Sequence, residues 1–203
     1  MPDTERKPFV AGLVLGAGAS RRLGRPKQLL PFRGRTLLDH TLGVARNCGF
    51  DQVVVAVGGA ADEVLATVDV TGVDVVVNDA YGSGCSSSIA AALGHLDPRC
   101  DLLVLMLGDQ PGVTPTTVTT LLAGRGAAPM ALCRYDDGLG HPIAFGRELF
   151  GELAALHGDK GVWRMRDAHA DGVAEVPMAG RVPPDIDTQA DYEAALSADG
   201  FPV

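Results

Sequence analysis

The chain has 203 residues, 46% of them hydrophobic and 21% charged, which is enough apolar material for a substantial core and too much for wholesale disorder. Its 17 Lys and Arg against 25 Asp and Glu leave a net charge of −8, which argues against a generic binder of nucleic acid or of an anionic membrane surface. Cys48, Cys85, Cys100 and Cys133 are widely spaced with no C-x-x-C pair, so neither a structural zinc site nor a disulfide framework is expected, and a reducing cytoplasm fits.

The polar start, Met1 to Pro8, carries no targeting pattern, and the apolar run from Phe9 to Leu15 is too short for a signal or a membrane span. That run reads as a first strand. Gln52 to Val57, Val73 to Val77 and Asp101 to Leu107 read as further strands. All four are nearly continuous apolar runs, the pattern of strands buried on both faces of a parallel sheet. The first helix follows a capping box, Thr36 with Asp39, buries Leu37, Leu38, Thr41, Leu42, Ala45 and Cys48 on one face, and stops at Gly49. Further helices are expected at Ala60 to Thr67, Ser87 to Leu96, Pro115 to Leu122, Arg147 to Leu156, Gly161 to Ala168 and Thr188 to Ser197, the last with its own box of Thr188 and Asp191. After Asp109 the alternation loosens. Met130 to Arg134 and Pro142 to Phe145 read as strands around a polar turn at Asp136 to Gly140, which predicts an antiparallel part in an otherwise parallel, three-layered α/β sheet. No repeat or linker divides the chain.

Charge is uneven: residues 1–40 hold eight basic and three acidic side chains, leaving −13 for the remainder. The basic excess centres on Leu15 to Lys27, which contains three glycines, four cations and no acid. Glycines let backbone N–H groups approach phosphate oxygens, and Arg and Lys supply charge, so a loop of this kind at the carboxyl end of a parallel strand suits a triphosphate. A solvated turn is the plainer reading. A dinucleotide fingerprint would need glycine at Arg21, and no G-x-x-x-x-G-K-[ST] occurs.

Three other places can carry chemistry. Gly108-Asp109-Gln110-Pro111 puts a carboxylate at the tip of a buried strand, where it can serve either a turn or a divalent cation beside phosphates. In Pro184-Asp185-Ile186-Asp187-Thr188 the two aspartates complement a helix dipole or hold a metal. Asn78 to Ser88 ends in Ser86, Ser87 and Ser88 at a helix start, more hydroxyls than one N-cap requires. The lone His141, in Gly140-His141-Pro142, shows no local partner, and His40, His95, His157 and His169 form no metal spacing.

Leu15 to Lys27 resembles the L-x-x-G-x-(S/G)-x-R-(M/L)-G-x-x-K signature of MobA-like nucleotidyltransferases, and most closely the molybdenum cofactor cytidylyltransferases of the MocA type. Gly108-Asp109-Gln110-Pro111, Asp185 to Thr188, the Asn78 to Ser88 segment, Gly140-His141-Pro142 and Gly158-Asp159-Lys160-Gly161 resemble that family's other motifs, in the same order over about residues 10–197. Cys85 stands where the family has Met or Leu, and Val162-Trp163 where it has Ala-Arg.

The resemblance implies a Rossmann-like nucleotidyltransferase fold of the GT-A-like kind in a single domain over 1–203, with a nucleotide-binding half at about 10–125 and an acceptor-binding half at about 126–197. It implies CMP transfer from CTP to the phosphate of molybdopterin, with release of pyrophosphate. Leu15, Gly16, Ala17, Gly18, Arg22, Lys27, Asn78, Ser86 and Ser87 would bind the nucleotide, with Lys27, Arg22 and Asp109 catalytic. Asp109 and Asp187 would hold Mg²⁺, and His141 and Asp159 would face the acceptor. Whether Asp185 shares the metal stays open. Ala17 favours CTP, since the guanosine enzymes carry glycine there; a guanylyltransferase, a transferase to another phosphorylated acceptor and a non-catalytic cofactor carrier are the alternatives. A molybdoenzyme would be the downstream partner.

Overall fold

The computed structural model describes residues 6–18, 20 and 22–198. Ala19 and Arg21 of the basic loop lie outside the described residues. A seven-stranded sheet is built from β1 (Phe9–Gly16), β4 (Gln52–Val57), β5 (Asp74–Val77), β6 (Cys100–Leu107), β7 (Met130–Tyr135), β8 (Gly138–Gly146) and β9 (Val173–Pro177) in the spatial order β5-β4-β1-β6-β8-β7-β9. Only β8 opposes the common direction among these strands: it is antiparallel to both β6 and β7, whereas β9 runs parallel to β7. A short hairpin of β2 (Pro31–Phe32) and β3 (Arg35–Thr36) leads into α1 (Leu37–Arg46).

The strands are buried on both faces, as their apolar runs require. On one face Val10, Val14, Val55 and Val104 pack against Leu38 and Leu42 of α1, Val64 of α2 (Ala61–Thr67), and Val118 and Leu121 of α4 (Pro115–Arg125). On the other, Ala11, Leu13, Val54 and Leu105 meet Ile89 of α3 (Cys85–Leu93), Leu153 of α5 (Phe150–Ala154) and Met165 of α6 (Gly161–Ala168). A third cluster, Leu30, Phe32, Leu37, Ile186 and Tyr192, fastens α7 (Gln189–Ser197) to the hairpin. Each fully buried side chain of this size contributes about 1.5–3 kcal/mol.

Both expected capping boxes form, Thr36 with Asp39 and Thr188 with Asp191, and a third, Thr114 with Thr117, starts α4. Three expectations change. The stretch Arg147 to Leu156 is a 3-10 turn, Arg147–Leu149, followed by a short α5 ending at Ala154, because Gly151 falls inside it and no capping side chain starts it. The polar turn shrinks to Asp136 and Asp137, because Gly138 has the positive φ (156°) that lets β8 begin four residues earlier than expected and pair with Tyr135. The edge strand β9 and the β2–β3 hairpin were not foreseen. No helix among the described residues is long and apolar enough to cross a membrane.

Candidate active site

The parallel strands deliver the chain to the carboxyl-terminal end of the sheet. There β1 ends in Gly16 and β6 in Leu107, and Gly108 N donates to Leu15 O at 2.9 Å. A Cβ on Gly108 would lie 2.9 Å from that same carbonyl and 3.1 Å from Leu38, so this turn accepts no side chain. Four contacts then fix the 108–111 turn. Thr41 Oγ1 donates to Gly108 O at 3.3 Å, His40 Nε2 meets Pro111 O at 3.2 Å, Ile186 N donates to Asp109 O at 3.0 Å, and Gln110 Nε2 donates to Pro183 O at 3.0 Å. The bond from Ile186 joins the two acidic motifs directly.

Lys27 sits where these segments converge. Its ammonium contacts the Asp109 carboxylate and lies 2.8 Å from Asp187 Oδ1, while Arg22 holds the other oxygen of Asp187 at 2.6 Å. The Lys27 and Asp109 side chains are mostly buried, at 13% and 16% exposed, whereas Arg22 is largely in solvent at 66%. Burial alone would lower the Lys27 pKa; the two carboxylates outweigh it and hold it above the ordinary lysine value. The Lys27 hydrogen bond, with help from Arg22, holds Asp187 below the ordinary carboxylate range. Asp185, 3.8 in an ordinary setting, is pushed up to about 6 by burial and by the neighbouring Asp109. Asp185 and Asp187 therefore part ways: one lines a cavity and the other meets the cations.

Two cavities adjoin. The first, of about 340 Å³, is lined by Leu15, Gly16, Ala17, Gly18, Lys27, Asp109, Gly84 and Ser88. The second, of about 310 Å³, has apolar walls from Leu105, Leu139, Val162 and Trp163 and polar ones from Gln110, His141 and Asp185. Leu15, Cys85, Leu107 and Asp159 line both. Trp163 and His141 stand edge to face with ring centroids 6.0 Å apart, and burial lowers the His141 pKa to about 4, so its imidazole is neutral.

The serine-rich segment is bonded mainly within the chain. Ser86 is fully buried and gives its hydroxyl hydrogen to Gly158 O at 2.5 Å. Asn78 Nδ2 donates to both Ser87 Oγ and Ser88 Oγ at 2.9 Å, and the Ser87 hydroxyl lies within hydrogen-bond distance of Ala80 O and Gly84 O. Asn78, Ser86 and Ser87 are thus committed to internal bonds because the start of α3 is docked on another part of the chain, and Ser88 is the serine that reaches the first cavity. Asp159 caps α3 from a distance, accepting from Cys85 N at 3.0 Å. Gly84 has φ +101°, and a Cβ there would meet the Gly158 backbone at 2.7 Å, so glycine is required where the two segments touch.

One polar residue escaped the sequence reading. Gln28 is only 5% exposed, lines the first cavity, and its Nε2 donates to Gly16 O at 2.5 Å and Gly18 O at 3.0 Å. Its only signal is an amide placed between Lys27 and the apolar Leu29-Leu30.

The family model for the MobA-like NTP transferase domain matches residues 12–173. The chain is 35% identical over 170 residues to nicotine blue oxidoreductase of Paenarthrobacter nicotinovorans, covering 79% of this chain and 82% of that protein. Among solved structures, the homolog of Mycobacterium tuberculosis Rv0371c from Mycobacterium sp. strain JC1 superposes with a TM-score of 0.87 at 50% identity, covering 93% of this chain and 96% of that one. Rv0371c of Mycobacterium tuberculosis in complex with manganese superposes with a TM-score of 0.84 at 45% identity, covering 94% and 100%.

Proposed function

Because the chain belongs to the MobA-like NTP transferase family and is a nucleotidyltransferase, we propose that it transfers CMP from CTP to the terminal phosphate of molybdopterin in the molybdenum cofactor, releasing pyrophosphate. The observation that carries this reading is the Lys27 ammonium set between Asp109 and Asp187 on the rim of a glycine-lined cavity that opens onto a second, apolar one. In this reading residues 10–125 are the nucleotide half, and residues 126–197 the acceptor half, of a single domain.

Transfer requires an acceptor phosphate oxygen to attack the α-phosphorus of the nucleotide while the bond to the β-phosphate oxygen breaks. A phosphate monoester is already ionised near neutrality, so the protein need not remove a proton, and its task is alignment and charge neutralisation. Leu15, Gly16, Ala17 and Gly18 approach the nucleotide by backbone. An ammonium has three N–H donors; Lys27 gives two to the carboxylates and keeps one for a phosphoryl oxygen. Arg22, held by Asp187 at the open side, faces the departing pyrophosphate.

Asp109 and Asp187 also suit a divalent cation. Mg²⁺ favours one or two carboxylates together with phosphate oxygens, and it would share Asp109 and Asp187 with Lys27 and Arg22, which bond them in this structure. Mg²⁺ there would supply further neutralisation of phosphate charge. The second cavity, with Trp163, His141 and Asp185, accepts the flat body of the acceptor, and no cation lines it among the described residues. The acceptor phosphate is therefore drawn towards Lys27. Ala17 supports cytidine, since its methyl narrows the loop against a purine.

The test is pyrophosphate release from purified protein with Mg²⁺ and molybdenum cofactor, comparing CTP, GTP, ATP and UTP. Release with CTP is expected; preference for GTP would make the protein a guanylyltransferase, and release with none would remove the reading.

A further inference from the structure

We infer that Gln28 is a positioning residue that sets the glycine loop against Lys27 in the conformation that receives the triphosphate. This inference rests on the nucleotidyltransferase reading. Gln28 follows Lys27 in the 3-10 turn Lys27–Leu29, so one rigid turn carries both the charge and the amide. The two hydrogens of its Nε2 go to the carbonyls of Gly16 and Gly18. From the same turn Lys27 N donates to Ser20 Oγ at 2.9 Å, which holds Ser20 at φ +50°, a left-handed conformation that a serine seldom adopts. The loop from Gly16 to Ser20 is thereby tied at three points to the turn that presents Lys27, and the aliphatic stem of Lys27 runs past Gly18, with Cε 3.5 Å from where a Cβ would be.

Two physical effects follow. A carbonyl oxygen on the wall of a cavity for phosphates repels them, and the Gln28 amide covers two such oxygens with N–H groups. In a trans peptide the N–H points opposite to the preceding C=O, so holding the Gly16 carbonyl towards Gln28 turns the Ala17 N–H to the other side. Gln28 therefore acts on the triphosphate through the loop rather than by contact.

The other end of the side chain shows what this role costs. Gln28 Oε1 is buried and has no hydrogen-bond partner among the described residues. A buried acceptor without a partner lowers stability, against the two carbonyls that the same amide satisfies. Stability sacrificed beside a ligand cavity is the pattern of a residue kept for function.

The experiment separates binding from stability in full-length protein. Calorimetric titrations with CTP and with pyrophosphate, both with Mg²⁺, and thermal melts are compared for wild type, Gln28→Met and Gln28→Glu. Gln28→Met keeps the shape and removes both donors and the orphaned acceptor. Because relief of the orphaned Oε1 offsets the loss of the bonds to Gly16 O and Gly18 O, it is expected to melt close to wild type yet bind pyrophosphate and CTP about tenfold more weakly. Gln28→Glu turns a carboxylate oxygen towards the two carbonyls and is expected to lose at least as much affinity. Gln28→Met binding both ligands within twofold of wild type, or losing affinity only together with melting temperature, overturns the inference. If wild-type protein itself binds neither CTP nor pyrophosphate, the reading it rests on has failed; tight wild-type binding unchanged by Gln28→Met removes only the role of Gln28.

Discussion

The two adjoining cavities are built by opposite means. The first is made of backbone and formal charge, from a contiguous glycine loop with Lys27 and from carboxylates on two neighbouring turns. The second is made of side-chain bulk from β6, β8, α6 and the 182–185 segment, with a neutral histidine and no cation among the described residues. Backbone recognition fixes a ligand class, because every nucleoside triphosphate presents the same phosphates. Side-chain recognition fixes an individual ligand. Under the proposed function the arrangement would separate the common half of the reaction from its particular half, and the two cavities are linked by the docking of Gly158-Asp159 on the start of α3.

That contrast can be broken experimentally, beginning on the charged side. Asp109→Ala should reduce pyrophosphate release by about three orders of magnitude, the loss seen when a preorganised charge contact to a transition state is removed. A steady-state assay with less than a tenfold fall would show that charge does not govern the first cavity. Next is the link. Gly84→Ala must move the Gly158 backbone or leave φ +101°, at a cost of about 3 kcal/mol in urea unfolding. A loss below about 1 kcal/mol would mean that the contact between the halves yields easily.

The remaining two sharpen the second cavity. His141, with a pKa lowered to about 4 by burial against an ordinary 6.5, stays unprotonated when folded while the unfolded chain takes up a proton. Its contribution is therefore intact above pH 6.5 and lost as pH falls towards 4, about 2 kcal/mol of it between pH 7 and pH 5. The pH-dependence of the melting temperature should flatten over that interval in His141→Gln; an unchanged slope would show that His141 is not the group responsible. The smallest effect is Trp163→Leu, expected to raise the acceptor KM about tenfold, or about 1.4 kcal/mol, and leave CTP affinity untouched. Equal losses for both substrates would merge the two cavities into one.

The same division explains what the sequence revealed. Strands buried on both faces and helices opened by Thr36 with Asp39 or Thr188 with Asp191 announce themselves locally, and those elements formed within a few residues of expectation. The β9 strand did not, because Val173–Pro177 lies at the sheet edge, carries Glu175 and owes its shape to pairing with β7 more than 30 residues earlier. At the site, Lys27 and the two aspartates were legible as charges on motifs. The inward turn of Ser86 was not, since nothing near it specifies that Gly158 arrives to accept its hydrogen. Trp163 read as the loss of an arginine; only its placement across from His141 shows what it adds.

The Asp136–Asp137 tip joining β7 to β8 has a bearing beyond the present substrates. Asp137 binds Arg181 Nε at 3.0 Å and Val182 N at 2.8 Å, so the tip anchors the strip of chain that walls the second cavity. Lengthening or shortening that tip would shift Val182 and Asp185 while leaving the end of β1 that carries Leu15 to Gly18 in place. If the second cavity receives the acceptor as proposed, acceptor choice could change by insertion and deletion in this hairpin, where such changes are tolerated, apart from the Leu15 to Gly18 loop.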